Sequence, residues 1–316
     1  MNFTRRKLRV KVVTLTALVV LFFHPSLLAI AQPLILVLSS HKARPYELTL
    51  DAFKNHLSTQ GLTVAYEQWF LDTNAGEVAK VLEQAKKLKP AMLFTLGSSA
   101  TKTAQREMPN RPIVASLVIN IDAKQSTRNT TGVLLQHSPE TSLQWLKRLC
   151  PDCKRVGILY QSAASQDVVN GMKGIASRLG LELLAEKVAD PKDLPTALNR
   201  LHKKADILWP FPDNIILVPQ SAKAILLTSF RKRIPVIGPS SPWVKAGALY
   251  SLGWDYEELG QQGAELASEL LRGRRVNELQ PRLPRTVRYS LNLKTAKHMK
   301  RKFPADVEEG AIEVFK

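Results

Sequence analysis

The chain is short of cysteine, with two, and of acids, with 27 Asp and Glu against 45 Lys and Arg in 316 residues. No low-complexity tract or short repeat appears. Aromatic residues are only 7%, yet hydrophobic residues reach 45%, so a full core can be built and wholesale disorder is excluded. His41, His56, His137, His202 and His298 have no metal-ligand spacing with one another or with the cysteines. They are expected at the surface, and no metal site is expected. Nothing resembles a nucleophile elbow, so no catalytic residue and no cofactor are expected. The turn Gly97-Ser98-Ser99-Ala100-Thr101-Lys102 lacks the second glycine of a phosphate-cradling loop, which sets nucleotide binding aside.

The two cysteines, Cys150 and Cys153, are spaced C-P-D-C. Thioredoxin-like redox chemistry would place this motif after a strand and at the start of a helix, where the dipole lowers a thiol pKa. Here it follows an amphipathic pattern (Leu143, Leu146, Leu149) and precedes the apolar run Val156 to Tyr160. A local structural disulfide in an oxidising compartment fits that context better.

Residues 1–31 differ from the rest. Arg5, Arg6, Lys7, Arg9 and Lys11 come without an acid, Val12 to Phe23 is mostly apolar, Pro25 and Ser26 break the run, and Ala29-Ile30-Ala31 suits cleavage before Gln32. That order describes a secretory signal peptide, with a membrane anchor as the alternative should the helix continue to Ile30. No cysteine follows the cleavage site, so a lipid-anchored form is not suggested. Export makes the expected location periplasmic and leaves nucleic acid out as a partner. The basic runs Arg231-Lys232-Arg233 and Arg272, Arg274, Arg275 read as solvated helix ends.

Beyond the leader, short apolar runs alternate with helical patterns. Strands are expected at 34–38, 64–69, 91–96, 113–118, 155–160, 182–188, 206–209, 236–238 and 248–252. Helices are expected at 46–60, 78–88, 98–106, 143–149, 166–179, 193–203, 219–231, 241–245 and 256–271. Repeated strand-helix-strand units mean α/β architecture with parallel sheets covered on both faces. Two blocks of about a hundred residues suggest two Rossmann-like lobes. An eight-fold barrel is the rival, and the polar interruption at 120–129 argues against it.

Ligands of open parallel sheets bind beyond the carboxyl ends of the strands. The candidates there are Ser39, Ser40, Ser98, Ser99, Asn120, Gln161, Phe211, Asp213, Asn214, Ser240 and Asp255. In "ADILWPFPDN" a proline ends the strand, and Phe211 and Asp213 follow as an aromatic face and a carboxylate, a pair suited to an amino-bearing small molecule. Asp213 could equally cap the next helix. The turn at Gly97 could hold a carboxylate or another anion on backbone amides and hydroxyls, or be a simple hydroxyl cap. Asn129-Thr130-Thr131 matches a glycosylation sequon, a pattern common by chance.

The stretches "TGV", "ETSLQWLKRLCPDCKRVGILY", "ADILWPFPDN", "IPVIGPSSPWVKAGALYSLGWDYEELGQQGAELASELLRG" and "NLKTAK" resemble the substrate-binding family of ABC transporters that includes tryptophan- and tyrosine-type binding proteins. The resemblance covers about Leu34 to His298 and is specific from Thr131 onward. It implies a periplasmic-binding-protein fold of the first type, with an interlobe hinge and closure over ligand. The implied division is 32–131 with 253–284 and 132–252 with 285–316. The implied function is a non-enzymatic solute-binding protein, monomeric, partnered by a small molecule and an ABC permease of the inner membrane. A membrane sensor protein is the alternative partner. Gln161-Ser162-Ala163-Ala164-Ser165-Gln166 departs from the family's Asn-Pro start and later Asn-Ser pair, so an aromatic amino acid is not implied as the ligand. Asp255 and Tyr256 match a family motif, with Tyr256 readable as hinge packing.

Overall fold

The computed structural model describes residues 32–71, 75–119, 121, 129–211 and 213–316. The expected leader and Asn120 lie outside them. Residues 33–316 form one compact unit.

The first lobe is built on a five-stranded parallel sheet. Its strands are β1 (Leu34–Ser39), β2 (Ala65–Phe70), β3 (Met92–Leu96), β4 (Ile113–Val118) and β5 (Thr130–Leu134), in the order β2-β1-β3-β4-β5. The strands β1 to β4 run parallel because a helix carries the chain back between each consecutive pair: α1 (Arg44–Thr59), α2 (Ala75–Leu88) and α3 (Ser98–Glu107). In β1, Leu36 and Leu38 pack with Ala85, Ala100 and Ala104, while Ile35 and Val37 pack with Phe53 and Phe94. Both faces are covered, which is why the strand reads as an unbroken apolar run. A late helix, α10 (Tyr256–Leu271), packs beside α1 on the second of these faces. A Cβ on Gly260 would sit 2.2 Å from the Thr49 carbonyl oxygen, so only glycine permits that approach.

The second lobe has two short sheets, β7-β6-β8 and β12-β11-β10-β9, joined by a parallel bridge between Leu208 and Val236. Its strands are β6 (Arg155–Tyr160), β7 (Glu182–Lys187), β8 (Ile207–Pro210), β9 (Ile237–Gly238), β10 (Tyr250–Trp254), β11 (Val287–Asn292) and β12 (Glu313–Phe315). Helices α4 (Pro139–Leu149) and α5 (Ala163–Arg178) cover one face. Helices α6 (Leu194–Leu201), α7 (Asn214–Leu217), α8 (Pro219–Lys232) and α9 (Ser241–Lys245) cover the other. The short α11 (Leu293–His298) and α12 (Ala305–Glu309) complete the chain. The sheets stay open, so the barrel does not form. Cys150 and Cys153 are bonded as a disulfide, both buried where α4 turns into β6.

Three chain crossings join the lobes. The first leaves the carboxyl end of β5, after Leu134. The second leaves the carboxyl end of β10, after Trp254. The third runs from Arg282, which bridges into the first sheet beside Val133, to β11, which enters antiparallel to β10. All three meet the strands at carboxyl ends of β5 and β10, so both sheets present those ends toward one zone. The pattern reading omitted β5, β11 and β12, whose sequences are rich in hydroxyl and charged residues or very short.

Candidate functional site

On the first lobe the site begins with a backbone requirement. Gly97 has φ +91°, and a Cβ there would lie 2.6 Å from Ser40 Oγ and 2.9 Å from the Tyr46 hydroxyl. Glycine therefore lets the end of β1, the start of α1 and the start of α3 meet at one point. Ser40 Oγ accepts the Ala100 amide at 2.9 Å, serving as a cap borrowed from another strand. Ser98 and Ser99 open α3, are exposed, and make no side-chain cap. Their amides are of the kind that a helix start leaves unpaired and positively polarised. Ser39 is buried with no partner for its Oγ, as is Ser116 on β4. Beside them Leu117 has φ +58° where the pairing of β4 with β5 slips between Ala115 and Val118. A left-handed leucine costs about 1–3 kcal/mol, and such strain gathers at ligand-facing strand ends. Burial pushes the Tyr46 hydroxyl pKa up, and the neighbouring Tyr256 adds to it.

The second lobe is arranged differently. Asp213 Oδ2 accepts the amides of Gln161 at 2.6 Å and Ser162 at 3.3 Å. Its Oδ1 accepts the hydroxyls of Ser162 at 3.1 Å and Ser165 at 2.7 Å. Four donors fill the four acceptor positions of a carboxylate. Partial burial opposes ionisation, but these donors outweigh it and hold the carboxyl below its ordinary pKa. The side chain makes no cap to α7, so the capping role considered for it is not the one it performs. Gln161 Oε1 accepts the Ile215 amide at 3.2 Å, a second tie between the same two loops. Phe211 lies half-buried against the second-lobe core, 6.0 Å from Trp209. Asn214 is exposed in the first turn of α7, and Ser240 precedes α9 without capping it.

Asp255 is at the second crossing. Its Oδ1 caps α10 through the Glu258 amide at 3.1 Å, and its Oδ2 accepts Arg288 Nε at 2.9 Å. Arg288 belongs to β11, so this pair ties the two lobes together. Arg285 pairs with Glu258 and Glu265, and Arg282 with Glu265 and Glu269, continuing the ladder along α10. Burial works against the Glu265 carboxylate, but the two arginines still hold its pKa low.

Three features escaped the sequence reading. Ser162 and Ser165 were visible only as a departure from a motif. Tyr46 had no local signal, because the loop that brings it to Gly97 is set by packing. His137, expected at the surface, is half-buried in the first crossing. Its Nε2 lies 3.1 Å from the Gly253 carbonyl and its ring stacks on Trp254 at 5.9 Å. Burial lowers its pKa, and the Gly253 contact only partly counters this. The sequon is closed by burial: Asn129 Nδ2 donates to the Arg111 carbonyl at 3.0 Å.

No three-residue His/Cys/Asp/Glu group suited to a metal occurs among the described residues. An open concavity of about 650 Å³ lies at the far, amino-terminal edge of the second-lobe sheet, lined by residues including Asp152, Arg155 and Asp206. Asp206 there accepts the amides of Lys154 and Arg155, closing a turn. The strand ends carry an aromatic face at Phe211 and lie at the carboxyl ends where open parallel sheets take ligands, whereas the concavity has no aromatic lining, so they are the better candidate.

A tyrosine-binding protein of Clostridioides difficile (strain R20291) is 26% identical over 195 residues, 59% of this chain and 55% of that protein. The match thus spans about half of that relative's length. Among solved structures, a ligand-free, open substrate binding protein with adhesive properties from Clostridium difficile aligns with TM-score 0.73 at 18% identity, over 90% of this chain and 99% of that one. An ABC domain in complex with L-Trp from Streptococcus pneumonia aligns with TM-score 0.59 at 19% identity, over 90% and 100%. The shared architecture is the periplasmic-binding-protein fold of the first type. Residues 35–315 match the ABC transporter substrate binding protein family, and the chain belongs to that family.

Proposed function

We propose that this protein is the periplasmic solute-binding component of an ABC importer, closing two lobes over a small amino acid or related polar metabolite. The reading is supported by two unlike strand-end surfaces, one of amides and hydroxyls at Ser98 and Ser99, the other of a half-buried carboxylate and Phe211. The ligand's acid group is held at the start of α3, where the helix dipole favours an anion. Its amino group meets Asp213 by displacing the Ser162 hydroxyl, which rotates freely, while the two backbone amides keep the carboxylate in place. Phe211 supplies a ring face. The relatives named for tyrosine and bound to L-Trp put amino acids first as the ligand class, while the Gln161–Ser165 loop favours a smaller polar one. Export through residues 1–31 and delivery to a membrane permease complete the proposal.

Titration calorimetry of the folded protein against all proteinogenic amino acids and their common derivatives tests it. Saturable one-to-one heat with at least one of them is expected. Silence across the panel overturns the ligand assignment.

A further inference from the structure

Helix α8 buries Ile225 in the second-lobe core, but it also displays apolar side chains and buries serines. Its buried positions include Ser221 and Ser229, the latter donating to the Ile234 carbonyl at 2.7 Å. Its outward positions include Leu227 and Phe230, 42% and 57% exposed. Core packing accounts for Ile225 but gives no reason to display a leucine and a phenylalanine on the outer side. Phe230 is also braced rather than loose. The His298 ring stacks on it at 4.0 Å and 4°, and His298 Nε2 lies 3.1 Å from the Phe230 carbonyl.

That contact joins two distant segments of one charge. Arg231, Lys232 and Arg233 follow Phe230, and Lys294, Lys297 and Lys300 surround His298. All six are exposed, and none is in an ion pair among the described residues. No Asp or Glu occurs between Asp213 and Asp255, nor between Glu278 and Asp306. The basic run that reads as a solvated helix end is, in the folded chain, half of a larger basic face with a phenyl ring at its centre.

We infer that this face of the second lobe docks on an anionic phospholipid bilayer, with Phe230 and Leu227 entering the headgroup layer. Cations on flexible stems match laterally mobile phosphates, and each contributes at the surface of an anionic membrane. The apolar pair gains depth in the interfacial region. An acidic protein partner would instead leave the two charge variants below equal on vesicles, an outcome that overturns the inference. The inference goes beyond ligand binding and uses none of the strand-end residues.

The test is sedimentation of the full chain with vesicles of phosphatidylcholine alone or with one third phosphatidylglycerol. The triple variant Arg231→Gln, Lys232→Gln, Arg233→Gln is compared with a control triple of equal charge loss, Lys192→Gln, Lys203→Gln, Lys204→Gln. Any binding through residues 1–31 is common to both and cancels. The patch triple should lose at least about tenfold in partitioning to the anionic vesicles and the control triple less than about twofold. Phe230→Ser should lose several-fold with its charge intact, and the difference between triples should vanish at 1 M salt. Equal partitioning of the two triples, or a difference indifferent to salt, overturns the inference.

Discussion

The two walls of the strand-end zone have opposite polar economies. On the first lobe, Ser98 and Ser99 stand exposed at a helix start and the Ser39 and Ser116 hydroxyls lack partners. On the second lobe, Asp213 has all its acceptor positions filled by its own loops. One surface leaves its polar groups uncommitted, and the other has used its strongest group to hold its own loops together. A helix start supplies donors at no structural cost, because its amides have no internal partner anyway. A half-buried carboxylate is costly to leave unpaired, and this one arrives already bonded.

Substitutions can break or sharpen this contrast. The largest effect is expected at Asp213. Asp213→Ala frees two backbone amides and two hydroxyls at once, so a stability loss of about 3 kcal/mol should appear in chemical denaturation, together with loss of ligand binding. The same carboxylate sets a pH dependence. Its folded pKa is depressed, so its contribution is complete above the unfolded value of about 4 and fades as pH falls through the folded value. The stability gap between wild type and Asp213→Ala should therefore be flat from pH 5 to 8 and shrink in more acid solution. A gap that widens with acid would refute the assigned role.

Next in size is Gly97→Ala on the other wall. The added Cβ meets Ser40 and Tyr46 in a positive-φ conformation, and a loss of about 2 kcal/mol is expected by thermal denaturation. Ser40→Ala removes only the acceptor for the Ala100 amide, so about 1 kcal/mol should go. The smallest stability effect belongs to the pair Ser98→Ala and Ser99→Ala, within about 0.5 kcal/mol, because neither hydroxyl caps the helix. If the first wall is the ligand's, calorimetry should nonetheless show weakened binding in that pair. Unchanged affinity would leave the two walls without their difference in role.

Much of the fold was legible. Buried strands such as Leu34–Ser39 and Ile113–Val118 are mostly apolar because helices cover both faces, and a helix such as Arg44–Thr59 shows one apolar stripe. Thr130–Leu134 was not legible. Its threonines are buried although the strand lies at the edge of the sheet, and nothing in a five-residue polar-looking stretch announces that. Among candidate site residues, Asp213 was found for its position at a strand end, but its partners Ser162 and Ser165 lie about fifty residues away in the chain. Asp255 was found as a motif residue, and only its pairing with Arg288 shows that it bridges the lobes.

The order of strands and helices, the parallel architecture, the family and the glycine at position 97 were determined by the amino-acid sequence itself, since propensity, burial periodicity and positive-φ turns are local properties. The commitment of each polar group was decided by tertiary structure alone. Whether a carboxylate is free or filled, a histidine outside or within a crossing, a phenylalanine buried or displayed among cations, depends on which distant loop arrives beside it, and hydrogen bonds and desolvation act only at that range.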